Sequence, residues 1–325
     1  MDEAILKLLK KHDSSFLSGE EIARRLKVTR TTVWKRIKEL EQMGYEIEAS
    51  TRAGYRLVSS PDLLAPWEVE PLLRTKRLGK PVHYFQTLDS TNARAYQLAS
   101  KGSREGEVVV AESQEKGRGR LGRQWFSPPF LNLYASVILR PEIPPSQAPL
   151  LTLMAAVATA ETVEQFSGLR PLIKWPNDIL LGNRKIAGLL NEMHSEMDRV
   201  HFVILGIGVN LNVDSESFPP EIRHLATSLK RETGEAVSRR VFFSSLLQNL
   251  EKWYDSFLKE GRGSVLEAWR DWARIKGKKV RVTSFGEVVT GIAIDIDSDG
   301  ALILKTKDGR QKRVVAGDVE YTKTK

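Results

Sequence analysis

The chain contains no cysteine, so disulfides, thiol nucleophiles and cysteine-ligated zinc are excluded from the outset. Histidine is scarce: His12, His83, His194, His201 and His224 are scattered, and none pairs with another at the i, i+4 spacing of a helical metal site. Long apolar runs are also missing. A bilayer span needs roughly 20 such residues, whereas the run around Pro149–Ala160 is broken by threonine and glutamate. Met1–Lys11 is a short amphipathic pattern of acids and lysines, unlike a charged-then-apolar leader, so a cytoplasmic protein with no membrane partner is expected. Internal repeats and low-complexity tracts are absent too.

What is present is length and positive charge. A chain of 325 residues with 41% hydrophobic side chains exceeds one ordinary core and predicts two or three domains. The net charge of +9 favours a polyanionic partner or an acidic ligand only where it sits on a recognisable element.

The first such element is N-terminal. Ser18 and Glu21 have capping-box spacing and predict a short helix with Ile22, Ala23 and Leu26 inward. Thr29 is placed to cap a further helix that buries Val33, Ile37 and Leu40 and stops at Gly44. Tyr45–Ala49 and Gly54–Val58 alternate like the strands of a hairpin wing. Residues 1–60 therefore read as a winged helix-turn-helix. Arg30, Thr31, Thr32, Trp34 and Lys35 lie opposite the apolar stripe, where base edges and phosphates would be read, and Arg52 lies on the wing. A helical protein-interaction module with a solvated basic face is the alternative.

Residues 61–275 open with an expected connecting helix over Leu63–Leu73. Strands then mix with helices without a strict βαβ rhythm, which favours an α+β mixed-sheet domain over a doubly wound one. In residues 276–325 period-two alternation around Gly286, Asp299-Gly300 and Asp308-Gly309 predicts a small all-β barrel.

The central domain carries the chemistry. Gly117, Gly119 and Gly122 spell GxGxxG, but Trp125-Phe126-Ser127-Pro128-Pro129 follows and cannot open the long helix that a dinucleotide fold requires. What remains is a pliable segment with Arg118, Arg120 and Arg123 able to close over an anion; a disordered basic loop is the plain alternative. Ser90-Thr91-Asn92 opens a helix, either simply as its cap or also as a polar face for a ligand head group. A lysine at position 174 in an otherwise apolar strand is expensive to bury without an anion. The turn at Gly182-Asn183 folds Lys185 back beside Asp178 and Lys174. Gly206 and Gly208 end another strand before Asn210 and permit close backbone approach. Together these residues point to a phosphate site.

With these motifs the chain resembles the bifunctional biotin–protein ligases that double as biotin operon repressors. The resemblance runs nearly end to end, and its most specific parts are the Gly117–Trp125 loop and Lys174-Trp175-Pro176-Asn177-Asp178. It implies a catalytic domain akin to class II synthetases and lipoate ligases, followed by a small Src-homology-like barrel. It also implies biotin and ATP as substrates with Mg²⁺. A biotin carboxyl carrier domain and operator DNA would be the partners, and biotinyl-adenylate would promote a homodimer. By the same resemblance Ser90, Thr91, Asn92, Gln114 and Gly188 would contact biotin, and Arg118, Gly119 and Arg120 would order over it and its adenylate. Arg123 and Trp125 would hold the nucleotide, and Lys185 would meet the biotin carboxylate and α-phosphate. Asn177, Asp178 and Asn210 would lie at the nucleotide and its magnesium, Asp178 being the candidate ligand or base. Leu121 stands where some relatives carry a further arginine. Two rivals stay open, a transcription factor that only binds an effector and a lipoate ligase.

Overall fold

The computed structural model describes residues 1–12, 15–284 and 286–322, and the chain divides into two compact units, Met1–Leu63 and Leu64–Lys325. Residues 323–325 of the expected C-terminal domain lie outside the described part.

In the first unit, helices α1 (Asp2–Lys11), α2 (Gly19–Leu26) and α3 (Arg30–Gln42) bury Ile5, Leu9, Ile22, Val33, Ile37 and Leu40 against one another. Both predicted caps form: Ser18 Oγ accepts from the Glu21 amide at 3.1 Å, and Thr29 Oγ1 from the Thr32 amide at 3.1 Å. The capping box is only half used, because the Glu21 carboxylate pairs with Arg25 one turn on. Strands β1 (Glu46–Ser50) and β2 (Gly54–Ser59) form the antiparallel wing. Gly54 permits its closure: at φ +106° a Cβ there would strike the backbone of Leu17.

In the second unit, the expected helix over Leu63–Leu73 shrinks to α4 (Pro66–Val69) and a 3₁₀ turn at Glu70–Leu72, since Pro71 has no amide to continue it. A strand not anticipated, β3 (Val82–Leu88), comes next; it is a half-exposed edge strand with weak alternation. Helix α5 (Thr91–Ser100) carries the chain to β4 (Val108–Gln114), parallel to β3. After a long loop come β5 (Leu133–Leu139), α6 (Ala148–Ser167), β6 (Leu172–Lys174), β7 (Asp178–Leu181), β8 (Arg184–Ser195) and β9 (Val200–Val209). The sheet order is β3-β4-β5-β9-β8-β7-β6, antiparallel beyond the first pair. Short helices α7 (Pro220–Arg223) and α8 (Leu229–Thr233) precede the long α9 (Arg239–Glu260) and α10 (Gly263–Ala273).

Helix α6 is apolar on nearly every side because it lies between the sheet and the α9/α10 pair. On the opposite face α5 packs Ala95 and Ala99 onto Val109, Ile138 and Ile204. The C-terminal strands β10 (Lys279–Ser284), β11 (Glu287–Ile296), β12 (Leu302–Lys305), β13 (Gln311–Val314) and β14 (Asp318–Tyr321) make a five-stranded antiparallel sheet ordered β13-β12-β11-β10-β14. Its inner residues Val280, Val282 and Leu304 belong to the same continuous core as α6. Trp175 fastens it to the β6–β7 hairpin, its indole N–H donating to the Gly300 carbonyl at 3.0 Å.

Candidate active site

A cavity of about 390 Å³ opens on the α5 side of the central sheet. Its floor is clear because glycines stand where side chains would fill it. A Cβ at Gly206 would collide with the Asn92 amide, and one at Gly208 would come within 2.6 Å of the Trp125 ring. One at Gly188 would meet the Trp125 ring at 2.9 Å and the Lys185 side chain at 3.0 Å.

The α5 N-terminus forms one wall. Ser90 caps it, weakly, with its Oγ 3.5 Å from the Ala93 amide, so the capping reading and a ligand-facing role are compatible. The Thr91 amide and hydroxyl donate to Gln114 Oε1 at 2.9 and 3.1 Å, and Asn92 Nδ2 donates to Glu192 Oε2 at 2.7 Å. Ser136 on β5, fully buried, joins the two, its Oγ lying 2.8 Å from Thr91 Oγ1 and 2.6 Å from Asn92 Oδ1.

The opposite wall is cationic. Lys185 Nζ lies 2.6 Å from Asp178 Oδ1 across the β7–β8 hairpin and 5.2 Å from the centre of the Trp125 ring. The glycine-rich loop turns back on itself, Arg118 bridging to Gln124, and Leu121 holds a left-handed φ of 55° at its exposed tip. Arg120 Nη1 donates to Asn177 Oδ1 at 3.1 Å and to the Gly317 carbonyl at 3.3 Å, while Arg123 pairs with Asp318. Burial lowers the Arg120 guanidinium below its ordinary value against the opposing pull of Asp318 and Asp178; it remains a cation. Asn177 Nδ2 donates to the Leu189 carbonyl at 2.7 Å, and Asn210 is buried at the rim. The Trp125 indole N–H is buried with no acceptor among the described residues.

Every residue of the second unit expected to contact biotin, the nucleotide or the metal lines this one cavity, Ser90, Gln114, Arg118, Gly119, Lys185 and Asn210 included. Glu192, Ser136, Ser127, Gly317 and Asp318 were missed. No local pattern marks them: Ser127 follows the glycine-rich loop directly but bears no signal of its own, and the others come from strands or loops distant in the chain from the residues they meet. In the first unit Arg30, Thr31, Trp34, Lys35 and Arg52 are exposed. Thr32 is half-buried, its hydroxyl 2.8 Å from that of Thr29 at the helix start.

Fold and site together define an α+β ligand domain with a cationic pocket for an anionic ligand, on a chain that also holds a helix-turn-helix unit. Comparison with known proteins agrees. Residues 84–210 match the model of the biotin/lipoate A/B protein ligase family, residues 2–56 an HTH domain, and residues 276–321 the biotin protein ligase C-terminal domain. The bifunctional ligase/repressor BirA of Bacillus subtilis is 39% identical over 97% of both chains. That of Escherichia coli is 29% identical over 94% of this chain and 93% of its own. A biotin protein ligase from Aquifex aeolicus, solved in complex with biotin and ATP, superposes with a TM-score of 0.65 at 26% identity. It covers 75% of this chain and 100% of its own. The chain belongs to the family of bifunctional ligase/repressors.

Proposed function

We propose that the protein is a biotin–[acetyl-CoA-carboxylase] ligase that adenylates biotin with ATP, transfers biotin to a lysine of a biotin carboxyl carrier protein, and represses the biotin operon according to its ligand state. The observation that carries this reading is the meeting of Lys185 and the loop arginines over one cavity whose polar end is built from Thr91, Asn92 and Gln114. Family membership supports the ligase and repressor activities.

The chemistry assigns the roles. Biotin's carboxylate is ionised near neutral pH and needs no base to attack the α-phosphate of ATP; pyrophosphate leaves and a mixed anhydride forms. The barrier is the approach of two anions, which Lys185, Arg118 and Arg123 offset. Ser90, Thr91, Asn92 and Gln114 hold the ring, while Gly119 and Arg120 close over it. Water would destroy the anhydride, so a loop that orders after binding protects it. Gly188, assigned to biotin, acts by giving room to Trp125 and Lys185, and Trp125, Asn177 and Asn210 bound the nucleotide. In the second step the acceptor lysine, with a pKa of about 10.4 in water, loses a proton towards Asp178, its amine attacks the acyl carbon and AMP departs.

Among the described residues no group of three or more acidic or histidine side chains is gathered for a metal. Mg²⁺ commonly takes one or two carboxylates plus substrate phosphates, and Asp178 fits that pattern. When bound with ATP it would supply positive charge to the phosphates.

A homodimer on operator DNA is part of the reading. Among the described residues β7 pairs with β8 only as far as Gly188, so Asn191–Ser195 has a strand neighbour on its β9 side alone and offers an edge to a second copy. No described helix is long and apolar enough to cross a membrane, and the proposed reactions belong in the cytoplasm. Mass spectrometry after mixing the protein with biotin and ATP tests the reading: biotinyl-AMP is expected, and its absence would refute it.

A further inference from the structure

Asn92 and Arg118, one on the cavity wall and one on the glycine-rich loop, reach the same carboxylate. Glu192 on β8 accepts from Asn92 Nδ2 at 2.7 Å through Oε2, and its Oε1 lies 3.4 Å from Arg118 Nη1. The remaining polar groups complete a circuit. Asn92 meets Ser136, Ser136 meets Thr91, Thr91 donates to Gln114, and Gln114 Nε2 donates at 3.0 Å to Ser127 beyond the far end of the loop. Glu192 is the member that ties this circuit to the first arginine of the loop.

The two contacts differ in kind. The Asn92 bond is short and sits on a side chain with only 3% of its surface exposed. The Arg118 contact is long, with the two side chains 51% and 33% exposed, and such pairs are held weakly. A ligand carboxylate or phosphate inside the cavity, shielded from water, offers the guanidinium fork a stronger anion. Arg118 can therefore leave Glu192 while Asn92 stays.

We propose that Glu192 is a positioning residue with two duties: it fixes the Asn92 amide, and it is the resting counter-ion from which Arg118 passes to the bound acid. The inference rests on the biotin-adenylating reading above. Glu192 orients one contact and competes for the other, so its two duties act on biotin affinity with opposite signs.

Two variants separate them. Glu192→Gln keeps an acceptor for Asn92 but removes the charge that detains Arg118. Biotin should bind roughly two- to five-fold tighter at low salt, as loss of a weak exposed competitor allows, and the gain should fade at high salt. Glu192→Ala also frees the Asn92 amide and should bind biotin about ten-fold more weakly. The readouts are biotin titration by calorimetry and the KM for biotin in pyrophosphate exchange by the full chain. Opposite shifts in the two variants support the proposal. Shifts of the same sign, or none, overturn it, because a merely structural residue would move both alike. Wild-type protein that shows no biotin-dependent exchange would overturn the adenylating reading and this inference with it. Normal wild-type exchange with unmoved variants would overturn this inference alone.

Discussion

Lys185 Nζ and Asp178 Oδ1 stand 2.6 Å apart on neighbouring antiparallel strands, with the Trp125 ring over the ammonium. Each charge offsets the other across the hairpin. The contact suits the proposed roles, in which the lysine turns to the incoming acid and phosphate and the aspartate faces the acceptor amine. Lys185→Ala should lower biotin-dependent pyrophosphate exchange roughly 10²–10³-fold, the usual loss when one electrostatic donor is removed. Asp178→Asn should slow transfer from preformed biotinyl-AMP, a step that uses no Mg²⁺–ATP, and a loss of adenylate formation as well is expected where the same carboxylate holds Mg²⁺. Unimpaired transfer by that variant, followed by quench-flow, would remove Asp178 from the second step.

The floor glycines predict a selective defect. Gly208→Ala places a methyl group 2.6 Å from the Trp125 ring, which must move off the sheet. ATP use should fall by at least about ten-fold, since ångström-scale misplacement costs orders of magnitude in rate. Thermal unfolding should change little, because the ring is at the cavity edge rather than in the core. Equal losses of activity and Tm would contradict this account.

A different effect is expected at the fully buried pair formed by Arg239 and Glu112, 2.6 Å apart. Glu112 also accepts from the Leu64 amide at 3.0 Å, and Arg239 donates to the Asn132 carbonyl at 3.3 Å. Arg239→Met leaves a carboxylate in the core without its cation and should destabilise the second unit by about 3–5 kcal/mol. Adding Glu112→Gln should restore part of that loss. Denaturant melts of the single and double variants provide the comparison.

Acid should weaken a loop anchor far from the cavity. Glu251 on α9 receives the amides of Lys76, Arg77 and Leu78 at 2.6, 2.7 and 3.0 Å. Burial alone would raise its pKa, but these amides and Arg77 outweigh it and hold the carboxyl below the ordinary value. A depressed folded value gives stability that is complete above the unfolded value, about 4.3, and is lost as pH falls through the folded one. The advantage of the wild type over Glu251→Gln should therefore be constant near neutrality and shrink only below about pH 4. An advantage that grew in acid would reverse the sign.

For the first unit, Arg30→Ala and Lys35→Ala should weaken operator binding. A variant that loses a phosphate contact should also lower the slope of log affinity against log salt by about one. Binding unchanged at all salts would return this unit to the protein-interaction reading.

Much of this was legible before any coordinates. The helix-turn-helix followed from Ser18 and Thr29, whose caps act within one helical turn and so are written locally. Lys185 was brought beside Asp178 by the turn at Gly182-Asn183, again a local signal. The circuit through Ser136 and Glu192 was not legible: each residue lies on a different strand, and only the sheet order brings them to Asn92. Likewise β14 (Asp318–Tyr321) is only four residues long, and Val319 and Tyr321 alone make too short an alternation to announce it, yet it supplies the partner of Arg123. Leu63–Leu73 failed as a helix for a reason the sequence did contain, the proline at position 71.

The most direct measurement of the central claim is ATP–pyrophosphate exchange by the intact chain with biotin, with lipoate and with neither. Exchange should require biotin, ignore lipoate and collapse in Lys185→Ala. Exchange supported by lipoate, or undiminished when that lysine is gone, would contradict a site in which the hairpin lysine and the loop arginines share one activated biotin.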